Sequence, residues 1–422
     1  MASFLTLLRS NANYRYSWTG QIISEVGDHF NTIAVFSLAL ETTGSGVVVS
    51  GVLLARALAV VAAGPLAGVL LDRMDRRRMM ILSDAARAVI ALGFLVCLRY
   101  PSNWLLYLMS GLLMFASPFF TSGRAAILPV IASKEELHTA NSLTQTTQWV
   151  NLAIGSMLGG ASVMKLGYMW AFLFNSLSFV VSAFCIAGLH TPGGFKPRRD
   201  TLAQPQVLRP WHEYTEGLRY MRATPLIFGL ALLNVGWASG GGAAQVLFSL
   251  FGEKVFHRGA QGIGLIWGFG AIGLIAGGIV GHGIGRKLSF ESYKWTIAIC
   301  YLLHGIAYVI FSQMQRFWLA LLFIALSRAA VGVTSVLNMG QLLRHVADGY
   351  RGRVFSTIES MSWGTMMFSM MAAGLASDYY SPRLIGVWSG IFSGSTAIFW
   401  AWANWAGKLP EPRDTGDHAH IQ

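Results

Sequence analysis

At 422 residues, with 54% hydrophobic and only 12% charged side chains and a mean hydropathy of +0.51, the chain is too apolar for a soluble globule. Most of its surface must face lipid. The formal net charge of +12 does not mark a nucleic-acid binder, because the 31 Lys and Arg fall between apolar stretches.

A membrane-spanning helix needs about 20 mainly apolar residues, and twelve stretches qualify. They run 16–40, 47–71, 79–98, 103–121, 141–164, 168–189, 225–250, 260–285, 293–311, 317–342, 354–376 and 384–406. Residues 1–10 show no basic segment followed by a cleavable apolar core, so the first span is expected to stay. Within it Gln21, Glu25, Asp28 and Thr32 follow at i, i+4, i+7 and i+11 and share one face, which must look into protein or water. Reflecting the chain about the turn near Thr43 and Gly44 brings Arg56 of the second span opposite Asn31. Asp28 and Arg56 then lie within about one helical turn in depth, at ~1.5 Å rise per residue. This predicts an intramembrane ion pair, either titrating in a working cycle or purely structural.

The fifth span carries Gln145, Gln148 and Asn151 as a polar stripe. A polar segment at 190–224, with Lys196, Arg198, Arg199, Arg209, Arg219 and Arg222, follows the sixth span and divides the chain into bundles at 1–189 and 225–422. The second bundle offers Asn234, Trp237 and Gln245 in the seventh span, Arg328 near the middle of the tenth, and Trp363 with Met366, Met367 and Met370 in the eleventh. Arg328 meets no carboxylate at matched depth in its neighbouring spans. Ionisable residues at such depth are costly and are functional candidates by default. Cys97, Cys185 and Cys300 lack paired or metal-ligand spacing, and His29 and His304 are single histidines expected to be hydrogen-bonded rather than ligating. No metal site and no cofactor is expected. The tail pair His418 and His420 is expected to be solvated.

With the amino terminus inside, 22 of the 31 basic residues fall on the inner side, 6 on the outer, and Arg56, Arg87 and Arg328 within spans. This asymmetry predicts cytoplasmic termini and a cytoplasmic 190–224 segment. A faint repeat at an offset of 213 residues carries Gly68 onto Gly281, which suggests two related halves.

At the end of the second span and beyond it runs Gly68-Val69-Leu70-Leu71-Asp72-Arg73-Met74-Asp75-Arg76-Arg77-Arg78. This segment resembles the cytoplasmic signature loop of the major facilitator superfamily, G-x-x-x-D-R-x-x-R-R-R. Asp75 replaces the family's usual glycine, and the second-half copy Gly281–Lys287 lacks the aspartate. Further segments resemble the subgroup of enterobactin and macrolide exporters. They are Asn13-Tyr14-Arg15, Gly27-Asp28, Ser83-Asp84-Ala85-Ala86-Arg87, Ala140-Asn141-Ser142, Glu216-Gly217-Leu218-Arg219-Tyr220 and Arg351-Gly352-Arg353-Val354. Gly155-Ser156-Met157-Leu158-Gly159-Gly160 matches the antiporter signature only in part, with Ser156 in place of Pro.

The resemblance implies an all-α membrane protein of twelve helices in two pseudo-symmetric bundles. It implies a latch at the inner face built on Gly68, Asp72, Arg73, Arg76 and Arg77, and a central cavity between the bundles. The expected function is proton-coupled export of a small amphipathic molecule of the drug, macrolide or siderophore class, by a monomer in a bacterial inner membrane. Asp28, Glu25 and Arg56 are the coupling candidates. Gln21, Gln145, Gln148, Asn151, Asn234, Arg328 and Trp363 are the candidates to meet substrate. Transport of lysophospholipid or another lipid is the nearest rival, and a transport-inactive sensor the more distant one. No G-x-x-x-x-G-K-[ST] sequence occurs to couple ATP and no H-E-x-x-H to hold a catalytic metal, so an enzyme is not expected.

Overall fold

The computed structural model describes residues 4–191, 193–196 and 210–412. Arg198, Arg199, Arg209, His418 and His420 lie outside them. In chain order the helices are α1 (Phe4–Ser10), α2 (Ala12–Thr43), α3 (Gly46–Leu71), α4 (Arg76–Arg99), α5 (Asn103–Ile131), α6 (Lys134–Leu166) and α7 (Tyr168–Ala187). They continue with α8 (Pro210–Ala223), α9 (Pro225–Leu250), a single π-helical turn (Phe251–Val255), α10 (Gly259–Gly285), α11 (Phe290–Gln313), α12 (Phe317–His345), α13 (Asp348–Ala376) and α14 (Pro382–Trp405). No strand occurs among the described residues.

All the α-helices except α1 and α8 match the twelve predicted spans in order. Among the described residues, nine helical stretches are long and apolar enough to cross a bilayer on composition alone. The three spans that fall short are α2, α6 and α13, and each carries polar residues: Glu25 and Asp28, Gln145 to Asn151, and Glu359 with Arg353. Polar side chains on a membrane helix must turn inward or meet water. The helices least fit for lipid are therefore the ones expected to line a working interior.

Helix ends follow from local chemistry. Asn11 caps α2 by accepting from the Tyr14 N–H at 2.9 Å, and Gly44 closes it in the left-handed region at φ 64°. Ser133 and Glu136 form a reciprocal capping box, so α6 starts at Lys134, seven residues earlier than hydropathy suggests. Helix α5 likewise continues to Ile131, beyond the predicted end at 121, because the run from Ala125 to Ile131 is apolar throughout. Its two prolines, Pro118 and Pro129, are tolerated in a membrane helix where neighbours re-satisfy the backbone. Gly68 and Gly281 lie inside α3 and α10, near their ends, within the predicted spans 47–71 and 260–285.

The chain divides into two compact units. In the first, residues 1–201 with 248–268, α7 packs against α2 and α4, α2 packs against α6, and α5 packs against α3 and α4. A core of Leu7, Tyr14, Met80, Phe120, Ile127, Leu128, Ala140 and Ile186 closes one end of this unit. Segment 248–268 seats on α6, where a Cβ on Gly160 would come within 2.5 Å of the Ala260 carbonyl. Only glycine permits that backbone approach.

In the second unit, residues 202–247 with 269–422, α11 packs against α12 and α14, and α8 packs on α13. Its core centres on Trp400, Tyr293, Ile297 and Tyr301, with the Trp400 indole N–H donating to the Lys294 carbonyl at 2.9 Å.

Candidate functional site

Glu25 and Asp28 of α2 are held by three helices of the first unit, α4, α5 and α6. Glu25 accepts from Arg124 Nη1 of α5 at 3.2 Å and from Asn151 Nδ2 of α6 at 2.8 Å, so each carboxylate oxygen has its own donor. Two predicted site residues, Glu25 and Asn151, are thus in direct contact. Arg124 is only 9% exposed, and its ion pair with a carboxylate supplies the compensation a buried guanidinium needs.

One turn along α2, Asp28 Oδ2 lies 3.8 Å from Arg87 Nη1 of α4, and Arg87 Nη2 donates a short hydrogen bond to Asp84, one turn earlier on α4. Arg87 is clamped between two rings, its Cζ 4.6 Å from the centre of Phe120 and 4.3 Å from that of Phe179. Flat guanidinium on aromatic face is a favourable contact that fixes the plane of the group.

The expected ion pair between Asp28 and Arg56 is not formed. Arg56 donates instead to Thr32 Oγ1 at 3.0 Å and reaches Met114 Sδ at 3.8 Å. Counting residues from the outer turn fixes depth but not azimuth, and it is α4, carried against the same helix α7 as α2, that presents its arginine to Asp28.

The remaining candidates separate. Gln21 is 1% exposed and donates to the Thr144 carbonyl at 3.2 Å, so it ties α2 to α6. Gln148 is half-buried and Gln145 exposed. Asn234 Nδ2 returns to the Leu230 carbonyl of its own helix at 2.9 Å. Arg328 on α12 is near enough to Tyr308 and His304 of α11 to act on both electrostatically. His304 is buried and hydrogen-bonded at both ring nitrogens, to Ser327 Oγ at 2.7 Å and Ser393 Oγ at 2.8 Å. Trp363 is 43% exposed.

In the signature segment, Asp72 is the exposed C-cap of α3, and Arg73 is exposed beside it. Asp75, standing where the family has glycine, caps α4 by accepting from the Arg78 N–H at 3.0 Å. Its φ of −65° asks for no glycine. Arg76 donates to the Ala126 carbonyl at 3.0 Å, and Arg77 to the carbonyls of Ile186, at 3.1 Å, and Ala187. The resemblance implies a latch role for both arginines, and in the structure they bind carbonyls within the first unit. Arg77 sits at the C-terminus of α7, where cations are favoured.

Sequence reading misses Arg124 and the pairing of Asp84 with Arg87 as site residues. Hydropathy ends the fourth span at 121 and leaves Arg124 among the loop charges. The apolar run after it, unbroken to Ile131, is the signal that it lies inside a helix.

Twelve spans with charges paired between helices of one bundle are the build of a multi-pass membrane transporter. The chain belongs to the Major Facilitator Superfamily, whose model matches residues 18–363. It is 25% identical over 369 residues to BacE of Bacillus subtilis (strain 168), named for the export of bacilysin, covering 86% of this chain and 89% of that one. Macrolide efflux protein A of Streptococcus pyogenes is 23% identical over 367 residues, covering 86% and 88%. Among solved structures, a bacterial homologue of the iron transporter ferroportin in an inward-facing state superposes with a TM-score of 0.68 at 19% identity, over 94% of this chain and 99% of that one. That likeness shows the fold.

Proposed function

We propose that the protein exports a small amphipathic molecule of the drug, macrolide or siderophore class in exchange for protons, by alternating access of two six-helix bundles, 1–189 and 225–422, joined by the cytoplasmic segment 190–224. On this reading it works as a monomer in a bacterial inner membrane with both termini inside. The observation that carries the coupling is the pair of carboxylates on one face of α2, Glu25 and Asp28, each beside a buried arginine. A carboxylate at that depth is costly to keep ionised and costly to keep neutral next to a cation. It can therefore change protonation when its arginine moves. The relatives named for macrolide efflux and bacilysin export support the direction of transport and the class of substrate.

A proton moving inward down a 100 mV potential supplies about 2.3 kcal/mol from the field alone. Asp28 is the principal carrier, with Arg87 as its nearest cation and Arg56 as the next, and Glu25 is the second carboxylate. Asp28→Asn keeps the shape of the acid and much of its hydrogen bonding but holds no exchangeable charge. Reconstituted Asp28→Asn, given an imposed pH gradient and a labelled macrolide or ethidium, is expected to lose uphill accumulation and to retain downhill exchange. Normal uphill transport by stable, monodisperse Asp28→Asn would refute the assignment of Asp28 and move the coupling role to Glu25.

A further inference from the structure

Asp84, on α4, is fully buried and takes no part in the contacts of Glu25 or of the signature segment. The cation it pairs with is Arg87, which also faces Asp28. The two contacts are unequal. Arg87 is committed to Asp84 by a direct hydrogen bond, while 3.8 Å to Asp28 exceeds hydrogen-bond range. Two carboxylates thus compete for one guanidinium.

The polar atoms around them are incompletely satisfied. Asp28 Oδ1 and Arg87 Nε are buried without a hydrogen-bond partner, and the one group besides Arg87 that approaches Asp84 closely enough to bond it is the Ser182 hydroxyl of α7. Asn175 of α7 is 0% exposed, and both atoms of its amide lack a partner. Its Oδ1 lies 3.0 Å from where a Cβ on Gly27 would stand, next in the chain to Asp28. An ionised carboxylate oxygen buried without a donor carries the full cost of its lost hydration. A proton on that oxygen removes the charge and turns an orphaned acceptor into a donor.

The other charged and titratable groups that act on the pair are Arg56 from α3, Glu25 from α2 itself and Cys185 from α7. Arg56 is engaged with Thr32, and Glu25 is neutralised by Arg124. Arg56 therefore makes no direct ion pair with Asp28, and Glu25 does not compete for Arg87. Asp28 keeps 23% of its side chain exposed, whereas Asp84 has none, so a proton reaches Asp28 first.

We propose that Asp28, Arg87 and Asp84 form a proton-holding triad that keeps one proton between two carboxylates, with Asp84 as its inner protonation site. While Arg87 bonds Asp84, the proton rests on Asp28. When Arg87 shifts to Asp28, that acid releases its proton and Asp84 takes one up, the guanidinium staying charged throughout. One O–H bond breaks on Asp28 and one forms on Asp84, and Arg87 exchanges its hydrogen bond in the opposite sense. The transport meaning of the triad rests on the reading of Asp28 as the coupling acid, but the triad itself is testable without substrate.

The test is the infrared carbonyl band of protonated carboxyl groups in the purified, full-length protein, recorded as difference spectra across a pH series around neutrality. The wild type is expected to show a protonated-carboxyl band that persists to neutral pH. Asp84→Asn leaves Arg87 a single carboxylate, so Asp28 ionises and the band is lost. Asp28→Asn is expected to lose the band for the same reason, with Asp84 and Arg87 left as a neutral pair. Absence of the band in the wild type overturns the triad. A band that vanishes in Asp28→Asn but survives in Asp84→Asn places the proton on Asp28 alone, which overturns this inference and leaves the coupling proposal standing. Should Asp84→Asn not yield monodisperse protein, Asp84→Glu retains the acid in an altered setting and is expected to shift the band. An unshifted band there overturns the role of Asp84. Normal uphill transport by Asp28→Asn, in contrast, counts against the coupling reading and leaves these spectra unaffected.

Discussion

Arg124 and Glu25 illustrate how a buried charge is tolerated and what the loss of its partner costs. Their side chains are 10% and 22% exposed, so solvent shields neither well. Arg124→Ala leaves Glu25 with the Asn151 amide alone, and Glu25→Gln leaves a buried guanidinium without an anion. Each single change is expected to destabilise the protein by about 3 kcal/mol, the lower end for breaking a buried pair. The double variant removes both charges, so it should recover an interaction energy of about 1–3 kcal/mol relative to the sum. Thermal unfolding of the four proteins in one detergent measures this, and strictly additive losses would show that the pair is not coupled. At this scale the sequence is informative about type and poor about partners. The face formed by Gln21, Glu25 and Asp28 can be read from helical spacing, but which arginine meets which acid depends on the azimuth of α4 and α5, which no spacing along α2 encodes.

Pairs of elements explain why scattered segments carry the family resemblance. Tyr14 of α2 donates to the Ala140 carbonyl of α6 at 2.9 Å, joining two of those segments. Gly27-Asp28 meets the Asp84–Arg87 segment across α7. Glu216 of α8 binds Arg353 of α13 at 2.9 Å while Tyr220 stacks on Tyr350 at 4.7 Å, joining two more. The segments are legible in sequence because they are contact surfaces. Their pairing is not, since each partner lies 59 or more positions away. The same packing logic separates two glycines. Gly160→Ala drives a Cβ to 2.5 Å from the Ala260 backbone, which cannot yield as a flexible side chain would, whereas Gly68→Ala meets nothing within 4 Å. Gly160→Ala is therefore expected to lower the melting temperature and the yield of monodisperse protein, and Gly68→Ala to match the wild type in both. Equal behaviour of the two variants in size-exclusion and thermal assays would show that the close approach between α6 and the 259–268 segment is not needed for folding.

For the molecule as a whole, twelve spans and a signature segment between the second and third are readable from hydropathy and spacing, whereas the split of labour inside that segment is not. Arg76 and Arg77 bind carbonyls of α5 and α7 and so belong to the stability of their own bundle. Hydrogen bonds to a charged donor contribute about 1.5–3 kcal/mol, and Arg77→Ala should lower the melting temperature accordingly. Asp72 is different: it is exposed at the end of α3, and Asp72→Asn changes one charge while keeping the side chain's size. If Asp72 is the latch carboxylate that the family resemblance implies, its removal leaves folding intact and impairs the transport cycle alone. The expected result is wild-type thermal stability with transport reduced about tenfold or more, a loss of at least ~1.4 kcal/mol in the cycle, measured by efflux of a labelled macrolide from energised vesicles. Arg77→Ala should show the reverse order, with stability falling first and transport in proportion to the folded protein that remains. Undiminished transport per folded molecule in Asp72→Asn would remove the latch role from this residue, and a loss of stability in that variant would return it to the same structural class as Arg76 and Arg77.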